Sequence, residues 1–189
     1  SQKLFRCVVF GMYHYRYWSV PYFPMTHLKR TNQTIAFLAF CSVSLLATVF
    51  FFQYELGLTP CKLCIWQRLP HAIVVLLSAF ALMSSAYKLA VCFCASLAIL
   101  VGCLLAGYHV GIEYNFWAGP LSCSSSGIPN TLSPELFLET ILTTSVPRCD
   151  EVVWTFLNTS MAGWNLILSI LLLILWTLVT FKIFRDLRC

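Results

Sequence analysis

The sequence predicts an all-α, polytopic membrane protein built as a four-helix bundle with two outward-facing loops. Hydrophobic residues make up 59% of the 189 residues and charged residues only 10%, and the mean hydropathy is +0.80. Soluble domains carry about 25% charged residues. The net charge of +5 comes from scattered Lys and Arg without a basic stripe, so we expect no binding to nucleic acid.

Four apolar segments are candidates for the helices of this bundle. A helix needs about 20 apolar residues to cross the hydrocarbon core of a bilayer. The segments are residues 35–52, 65–83, 89–108 and 164–181. The first and third are uncharged, whereas the second carries Gln67, Arg68 and His71 near its start.

The distribution of Lys and Arg predicts the orientation, because cytoplasmic loops are enriched in these residues. Four spans place both termini on one side, and only Lys62, Arg68 and Arg148 of the twelve basic residues fall on the other. We therefore expect cytoplasmic termini and a cytoplasmic turn at 84–88. Two loops then face outward, a short one at 53–64 and a long one at 109–163.

The first residues form a separate region. We expect residues 1–33 to be an N-terminal cytoplasmic arm and residues 34–189 to be the membrane domain. Residues 4–24 are aromatic-rich, but polar residues and prolines interrupt them, and no apolar core of signal-peptide length is present. They are either an interfacial arm or an upstream extension of a natural chain that begins at Met25. We favour the extension.

The ten cysteines fall into two groups. Those in predicted spans or tails are expected to be structural, since a buried cysteine behaves as a small apolar residue. They are Cys7, Cys41, Cys92, Cys94, Cys103 and Cys189. The other four, Cys61, Cys64, Cys123 and Cys149, lie in the outward loops, where an oxidising compartment favours disulfides.

The outward cysteines allow several interpretations. One interpretation is that they form two static disulfides that only stabilise the loops. A CxxC pair such as Cys61 and Cys64 is more often redox-active or metal-binding. The wide spacing of Cys123 and Cys149 argues against a four-cysteine zinc site, so we expect no metal.

The start of the second span favours a reactive thiol. Cys64 lies where the helix begins, and a helix N-terminus stabilises a thiolate. Arg68 follows one turn later on the same face, and His71 continues that face. A charged residue inside a membrane helix is a candidate functional residue. The alternative is that Arg68 extends to the lipid headgroups.

An outward thiol pair in a membrane needs an electron acceptor. The sequence has neither a C-x-x-C-H haem motif nor a G-x-G-x-x-G dinucleotide motif. A quinone is the economical candidate, because the bilayer delivers it. Arg68 would donate hydrogen bonds to a quinone oxygen. His109, at the outer end of the third span, would orient the ring, or is simply an interfacial histidine.

The long loop contains one helix signal. Ser133 is suited to the N-cap and Pro134 to the first helical position. Glu135 and Glu139 then share one face, while Leu136, Phe137, Ile141 and Leu142 supply apolar surface. We therefore expect a short helix that lies on the outer leaflet.

Several stretches together resemble a known family. They are Pro60-Cys61-Lys62-Leu63-Cys64-Ile65-Trp66-Gln67-Arg68, Gly107-Tyr108-His109, Gly119-Pro120-Leu121-Ser122-Cys123 and the run from Arg148-Cys149 to Leu157. From about residue 34 onward the chain resembles DsbB, the bacterial inner-membrane thiol oxidase family. The combination of four spans, a CxxC with an arginine four residues on, and a second wide cysteine pair is specific.

The resemblance implies a role for each matching residue. Cys61 and Cys64 match the quinone-coupled pair, and Arg68 matches the arginine of the quinone site. Cys123 and Cys149 match the pair that exchanges with a periplasmic DsbA-like thioredoxin-fold protein, with the mixed disulfide on Cys123. The implied cofactor is ubiquinone or menaquinone from the membrane pool, and the redox loops would be periplasmic.

Two rival functions remain open at this point. A vitamin-K-epoxide-reductase-like enzyme uses similar four-cysteine chemistry, but that family carries its CxxC near the end of its last helix. Here the CxxC precedes the second of four predicted helices. The other rival is a non-catalytic membrane protein whose loops are stapled by disulfides.

Overall fold

Four long helices make up most of the part of the chain that the structure describes. The computed structural model describes residues 25–84, 86–120 and 148–188. In chain order these contain helix α1 (Met25–Tyr54), α2 (Lys62–Met83), α3 (Lys88–Glu113), strands β1 (Thr155–Phe156) and β2 (Thr159–Ser160), and helix α4 (Met161–Arg188). All four helices are long and apolar enough to cross a membrane. The predicted class, a polytopic helical bundle, is confirmed.

Some predicted features lie outside the described residues. They are the aromatic-rich segment 4–24, the helix expected from Ser133, and Cys7, Cys123 and Cys189.

The helices extend beyond the predicted spans. Hydropathy marks only the apolar centre of a span, whereas the backbone hydrogen bonds of a helix continue through polar and aromatic residues. The third span was expected to end at Tyr108, but α3 continues to Glu113. The sequence predicted that His109 begins the long loop. In the structure it lies within the last turns of helix α3.

Helix α3 is the central element of the bundle. It packs against α2 and α4, while α1 packs mainly against α2. The core between the helices contains Ile35, Val74, Ile99 and Trp176, each fully buried. A Cβ atom on Gly102 of α3 would lie 3.3 Å from the Cβ atom of Pro70, so glycine permits close contact between α2 and α3.

Among the span cysteines that we expect to be structural, Cys41, Cys92 and Cys103 take part in packing of the bundle. Cys92 and Cys103 belong to the bundle core, and Cys41 packs against it. Cys94 is exposed, as are many apolar side chains on the outside of the helices. Such exposure is expected of helices whose outer faces contact lipid.

A short hairpin precedes α4 at the end of the bundle that carries Cys61, which we call the thiol end. Leu157 and Asn158 form its turn with φ angles of 51° and 59°, as a two-residue type I′ turn requires. Ser160 then caps α4, because its hydroxyl oxygen accepts a hydrogen bond from Gly163 N at 3.0 Å. The same hydroxyl donates to Glu113 Oε2 at 2.5 Å, which ties α4 to α3.

Candidate redox site

The Cys61–Cys64 pair lies at the start of α2. Cys61 is the N-cap residue, and its sulfur accepts a hydrogen bond from Cys64 N at 3.3 Å. The two sulfur atoms are 3.0 Å apart, which is close contact between thiols. Cys61 is buried and Cys64 is half-buried. The two members of the pair therefore differ in solvent access.

The surroundings of Cys61 favour its protonated form. The hydrogen bond that the Cys61 thiol donates to the Cys64 sulfur, together with burial, raises the pKa of Cys61 to about 12, although contact with His109 acts in the opposite direction. Donation to a neighbouring sulfur stabilises negative charge on that neighbour. The geometry thus makes Cys64 the better site for a thiolate.

Cys149 lies beside this pair, although it is remote in sequence. It is 1% exposed and packs with Cys61, Leu63 and Ile112 in an apolar cluster at the thiol end. The sulfur atoms of Cys61 and Cys149 and a ring nitrogen of His109 all lie within 4.8 Å of one another. The structure therefore brings together one member of each predicted cysteine pair.

The residues next to Cys149 are held by ion pairs at the surface. Arg148 donates hydrogen bonds to both carboxylate oxygens of Asp150, at 3.1 and 2.7 Å, and lies 3.3 Å from Glu151. The hydrogen bond from Arg148 lowers the pKa of Asp150. Such exposed pairs contribute little stability, so their main effect is to orient this segment.

His109 is directed toward the thiols. It is 3% exposed, and its Nε2 atom lies 3.7 Å from the Cys61 sulfur and 4.0 Å from Glu113 Oε1. Its Nδ1 atom lies 2.9 Å from Gln67 Nε2. Both ring nitrogens thus face protein groups.

A buried amide pair fixes the protonation of that imidazole. Asn165 Nδ2 donates to Gln67 Oε1 at 2.5 Å, which leaves Gln67 Nε2 to donate to His109 Nδ1. In the neutral ring the proton must then be on His109 Nε2, facing Cys61. We call the Gln67–Asn165 contact the amide bridge. It joins α2 to α4.

Arg68 points toward α1 and into the interior of the thiol end. Its Nη1 atom donates to Gln53 Oε1 at 2.6 Å, and its guanidinium carbon lies 5.0 Å above the centre of the Phe50 ring. The Nε atom is buried and has no hydrogen-bond partner among the described residues. A donor left without an acceptor in this position is costly unless a ligand supplies one.

One cavity connects these groups. It has about 900 Å³ of empty volume, which includes the solvent space at its open mouth. The predicted site residues that line it are Cys61, Cys64, Arg68 and His109. Apolar walls come from Leu45, Val49, Phe52, Val153 and Trp154. An apolar slot with an unpartnered Arg68 N–H fits a quinone ring and one of its oxygens.

The thiol end also contains ligand types that zinc prefers. Two cysteine sulfurs and a histidine nitrogen converge at Cys61, Cys149 and His109, and zinc binds such atoms. The absence of a metal site therefore stays a prediction.

Sequence reasoning missed the polar residues that support the site. Gln53, Gln67, Glu113 and Asn165 all line the cavity, and none was a candidate. The available signal was a polar side chain within an apolar span, because such residues form hydrogen bonds between membrane helices. Asn165 in the Leu/Ile-rich fourth span was the clearest example.

Comparison with known proteins gives consistent matches. The family model described as disulfide bond formation protein DsbB matches residues 31–179. Disulfide bond formation protein B of Xylella fastidiosa (strain Temecula1) is 33% identical over 153 residues, which cover 76% of this chain and 85% of the relative. That of Hahella chejuensis is 30% identical over 152 residues, 77% of this chain and 92% of the relative. That of Histophilus somni is 25% identical over 172 residues, 88% and 94% of the two chains.

Proposed function

The chain belongs to the DsbB family of disulfide bond formation proteins, and on this basis we propose that it is a membrane thiol:quinone oxidoreductase. In this proposal it re-oxidises a periplasmic DsbA-like dithiol and passes the electrons to a quinone. One observation carries the proposal: the Cys61 sulfur lies within 4.8 Å of the Cys149 sulfur, and Cys61, Cys64 and Arg68 line one cavity. Among the described residues, Arg68 Nε has no hydrogen-bond partner. Family membership also argues against the vitamin-K-epoxide-reductase-like alternative.

The first half of the reaction is disulfide exchange. A partner thiolate attacks Cys123 of the Cys123–Cys149 disulfide and releases Cys149 as a thiolate. The second partner thiol then attacks the mixed disulfide, which leaves the partner oxidised and Cys123 reduced. Atoms and electrons balance, because each new S–S bond replaces an existing one.

The second exchange carries the electrons to Cys64. The Cys149 thiolate attacks the Cys61 sulfur of the Cys61–Cys64 disulfide, so that a transient Cys61–Cys149 link forms and Cys64 leaves as a thiolate. The separation of less than 4.8 Å between the Cys61 and Cys149 sulfurs supports this step. Return of the Cys123 thiolate to Cys149 restores the outer disulfide and leaves Cys61 and Cys64 reduced.

The quinone, ubiquinone or menaquinone, supplies the oxidation by taking two electrons and two protons. The chain's contribution is to hold the ring beside Cys64 within the apolar cavity. Arg68 Nε–H is free to donate to a quinone oxygen, while Gln53 and Phe50 fix the guanidinium. Preorganised donors of this kind stabilise negative charge that develops during reaction.

His109 has a related role in this proposal. Its Nε2–H faces the Cys61 sulfur and stabilises the thiolate that Cys61 must form when the Cys61–Cys149 link is resolved. The further expectation that His109 orients the quinone ring stays a prediction, supported by its position in the cavity lining.

The proposal includes location and domain organisation. The protein lies in a bacterial inner membrane with both termini in the cytoplasm and both redox loops in the periplasm. The membrane domain begins near residue 34 and follows a cytoplasmic arm.

An absorbance titration tests the proposal. Purified protein is mixed with a short-chain ubiquinone and a reduced thioredoxin-fold partner, and loss of quinone absorbance is followed. We expect multiple turnovers, loss of turnover in Cys64→Ser, and normal turnover in the control Cys94→Ser, which changes an exposed span cysteine. Equal turnover with and without Cys64 would overturn the proposal.

A further inference from the structure

Two residues that line the cavity each carry a buried polar atom without a hydrogen-bond partner among the described residues. Among the described residues, four buried side-chain nitrogen or oxygen atoms have no hydrogen-bond partner: Ser42 Oγ, Arg68 Nε, His71 Nδ1 and Trp176 Nε1. Buried polar groups are normally paired, and each exception needs an explanation. Arg68 and His71 line the cavity, whereas Ser42 and Trp176 do not. The proposed function uses Arg68 but leaves His71 without a role.

His71 is positioned beside Arg68 and is almost inaccessible to solvent. It follows Arg68 by three residues on α2, so both side chains lie on one helix face. It is 3% exposed, and its Nε2 atom lies 3.3 Å from Asn165 Oδ1 and 3.4 Å from the Ser169 hydroxyl. A buried ionisable side chain within a membrane helix indicates function.

The amide bridge determines which nitrogen of His71 carries the proton in the neutral ring. Asn165 uses Nδ2 to donate to Gln67, so its Oδ1 atom accepts from His71 Nε2–H. The unpartnered Nδ1 atom then presents a lone pair. Such an atom accepts a hydrogen bond from a hydroxyl group but offers none to a carbonyl oxygen unless the ring gains a proton.

We propose that His71 Nδ1 exchanges a proton with a quinone oxygen in this cavity, so that His71 is a catalytic residue of quinone reduction. The inference rests on the proposed function and extends it to a second residue. A protonated His71 gives its proton to the oxygen as electrons arrive, and the neutral ring accepts a hydrogen bond from the resulting hydroxyl.

The proton balance closes over one turnover. Oxidation of the Cys61–Cys64 dithiol to a disulfide releases two electrons and two protons, and the hydroquinone formed contains the same number of each. His71 therefore returns to its starting state without an additional oxidant or reductant.

Binding of the two redox forms tests this assignment separately from turnover. A short-chain ubiquinone and its hydroquinone are titrated into the detergent-solubilised full chain, and tryptophan fluorescence quenching gives a Kd for each. In His71→Leu we expect about a tenfold loss of hydroquinone affinity, the equivalent of one hydrogen bond, with less than a threefold change for the quinone. Trp176→Phe removes a buried polar atom that is also unpartnered among the described residues but lies outside the cavity lining, and it should change neither Kd.

A second variant separates hydrogen bonding from proton exchange. His71→Asn keeps a polar atom near the position of Nδ1 but cannot carry a proton. We expect it to bind hydroquinone more tightly than His71→Leu, while its kcat for quinone reduction stays at least tenfold below that of the parent. Its KM for quinone should change little.

The outcomes distinguish the two levels of the proposal. If the parent protein binds neither form, the proposed quinone function fails. If the parent binds both forms and the His71 variants lose both affinities equally, or if His71→Asn keeps the parent kcat, the assignment of His71 is overturned while the quinone function stands.

Discussion

The sulfur atoms of Cys61 and Cys149 lie within 4.8 Å of each other, although one precedes α2 and the other precedes the β1–β2 hairpin. Both are almost completely buried. A thiolate formed at Cys149 therefore has Cys61 as a neighbour and little access to solvent thiols. This proximity predicts that substitutions in the two cysteine pairs block electron transfer at different steps.

Cys149→Ala should trap the soluble partner. In this variant Cys123 is a free thiol, so its thiolate attacks the disulfide of the oxidised partner, which forms a mixed disulfide and releases one partner thiol. No Cys149 thiol is then present to displace the partner from Cys123. We expect a covalent adduct on a non-reducing gel. The adduct should disappear when Cys123 is also changed to Ala. A Cys149→Ala protein that turns over normally would contradict the relay.

Arg68→Leu should weaken quinone use specifically. It keeps much of the apolar volume of the side chain but removes the charge and the unpartnered Nε–H. Loss of a charge-assisted hydrogen bond costs about 1.5–3 kcal/mol, which corresponds to a rise of about ten- to a hundredfold in the KM for quinone. Lys62→Leu is the matched control, because it removes an exposed cation from the same helix outside the cavity lining. Equal effects of the two changes would assign Arg68 a general electrostatic role.

Alkylation of the reduced protein should modify Cys64 before Cys61. The thiolate is the reactive form, and a thiol with a pKa of about 12 is only about 0.01% ionised at pH 8. The rate at Cys61 should rise about tenfold per pH unit between pH 8 and 10. In Cys64→Ala the largest cause of the raised pKa is gone, so the Cys61 titration should shift to lower pH. Peptide mass spectrometry after timed iodoacetamide treatment measures both rates. If the Cys61 rate had the same pH profile in the parent protein and in Cys64→Ala, the prediction would be wrong.

The amide bridge should couple α2 to α4 energetically. Gln67→Leu and Asn165→Leu each leave a buried polar partner unsatisfied, whereas the double variant removes both. Interhelical hydrogen bonds in membranes average about 0.6 kcal/mol and reach about 1.7 kcal/mol. A double-mutant cycle on unfolding in detergent should give a coupling energy in this range. Additive effects would mean that the contact contributes no specific stability.

Topology can be tested with exposed positions at the two ends of the bundle. Glu151→Cys lies beside the thiol end, and Tyr87→Cys lies in the turn between α2 and α3; both native side chains are exposed. A membrane-impermeant maleimide applied to intact cells should label the first and not the second. The opposite pattern would reverse the predicted orientation.

Hydropathy was sufficient to predict the four helices, because apolar length is what a bilayer demands. It did not predict where α3 ends, since the residues from His109 to Glu113 are held by contacts within the protein. His109 Nε2 faces Cys61, and Glu113 accepts from Ser160. Cys61 and Ser160 lie outside α3, so the sequence of this span alone could not predict these contacts or the end of the helix.

The redox site, like the fold, was predictable in its local features and not in its contacts between helices. The spacing of Cys61, Cys64 and Arg68 along one helix face is local, so sequence alone was enough to suggest that they act together. The amide bridge joins residues almost a hundred positions apart. Which of its two amides donates the hydrogen bond depends on which amide atom faces His71 and which faces His109. That information exists only once α2, α3 and α4 are packed.

The close approach of Pro70 and Gly102 also sets the chemistry at the thiol end. Cys61 precedes α2 and His109 belongs to α3, so the separation between these two helices governs the distance between the sulfur and the imidazole. A methyl group at position 102 would lie 3.3 Å from the Pro70 Cβ atom, so Pro70, which belongs to α2, would have to shift by a few tenths of an ångström. The contact between the sulfur and His109 Nε2, already 3.7 Å long, has little room to lengthen before it ceases to be a hydrogen bond. Glycine at position 102, two helical turns before His109 on α3, thus helps to keep the thiol and the imidazole within contact distance.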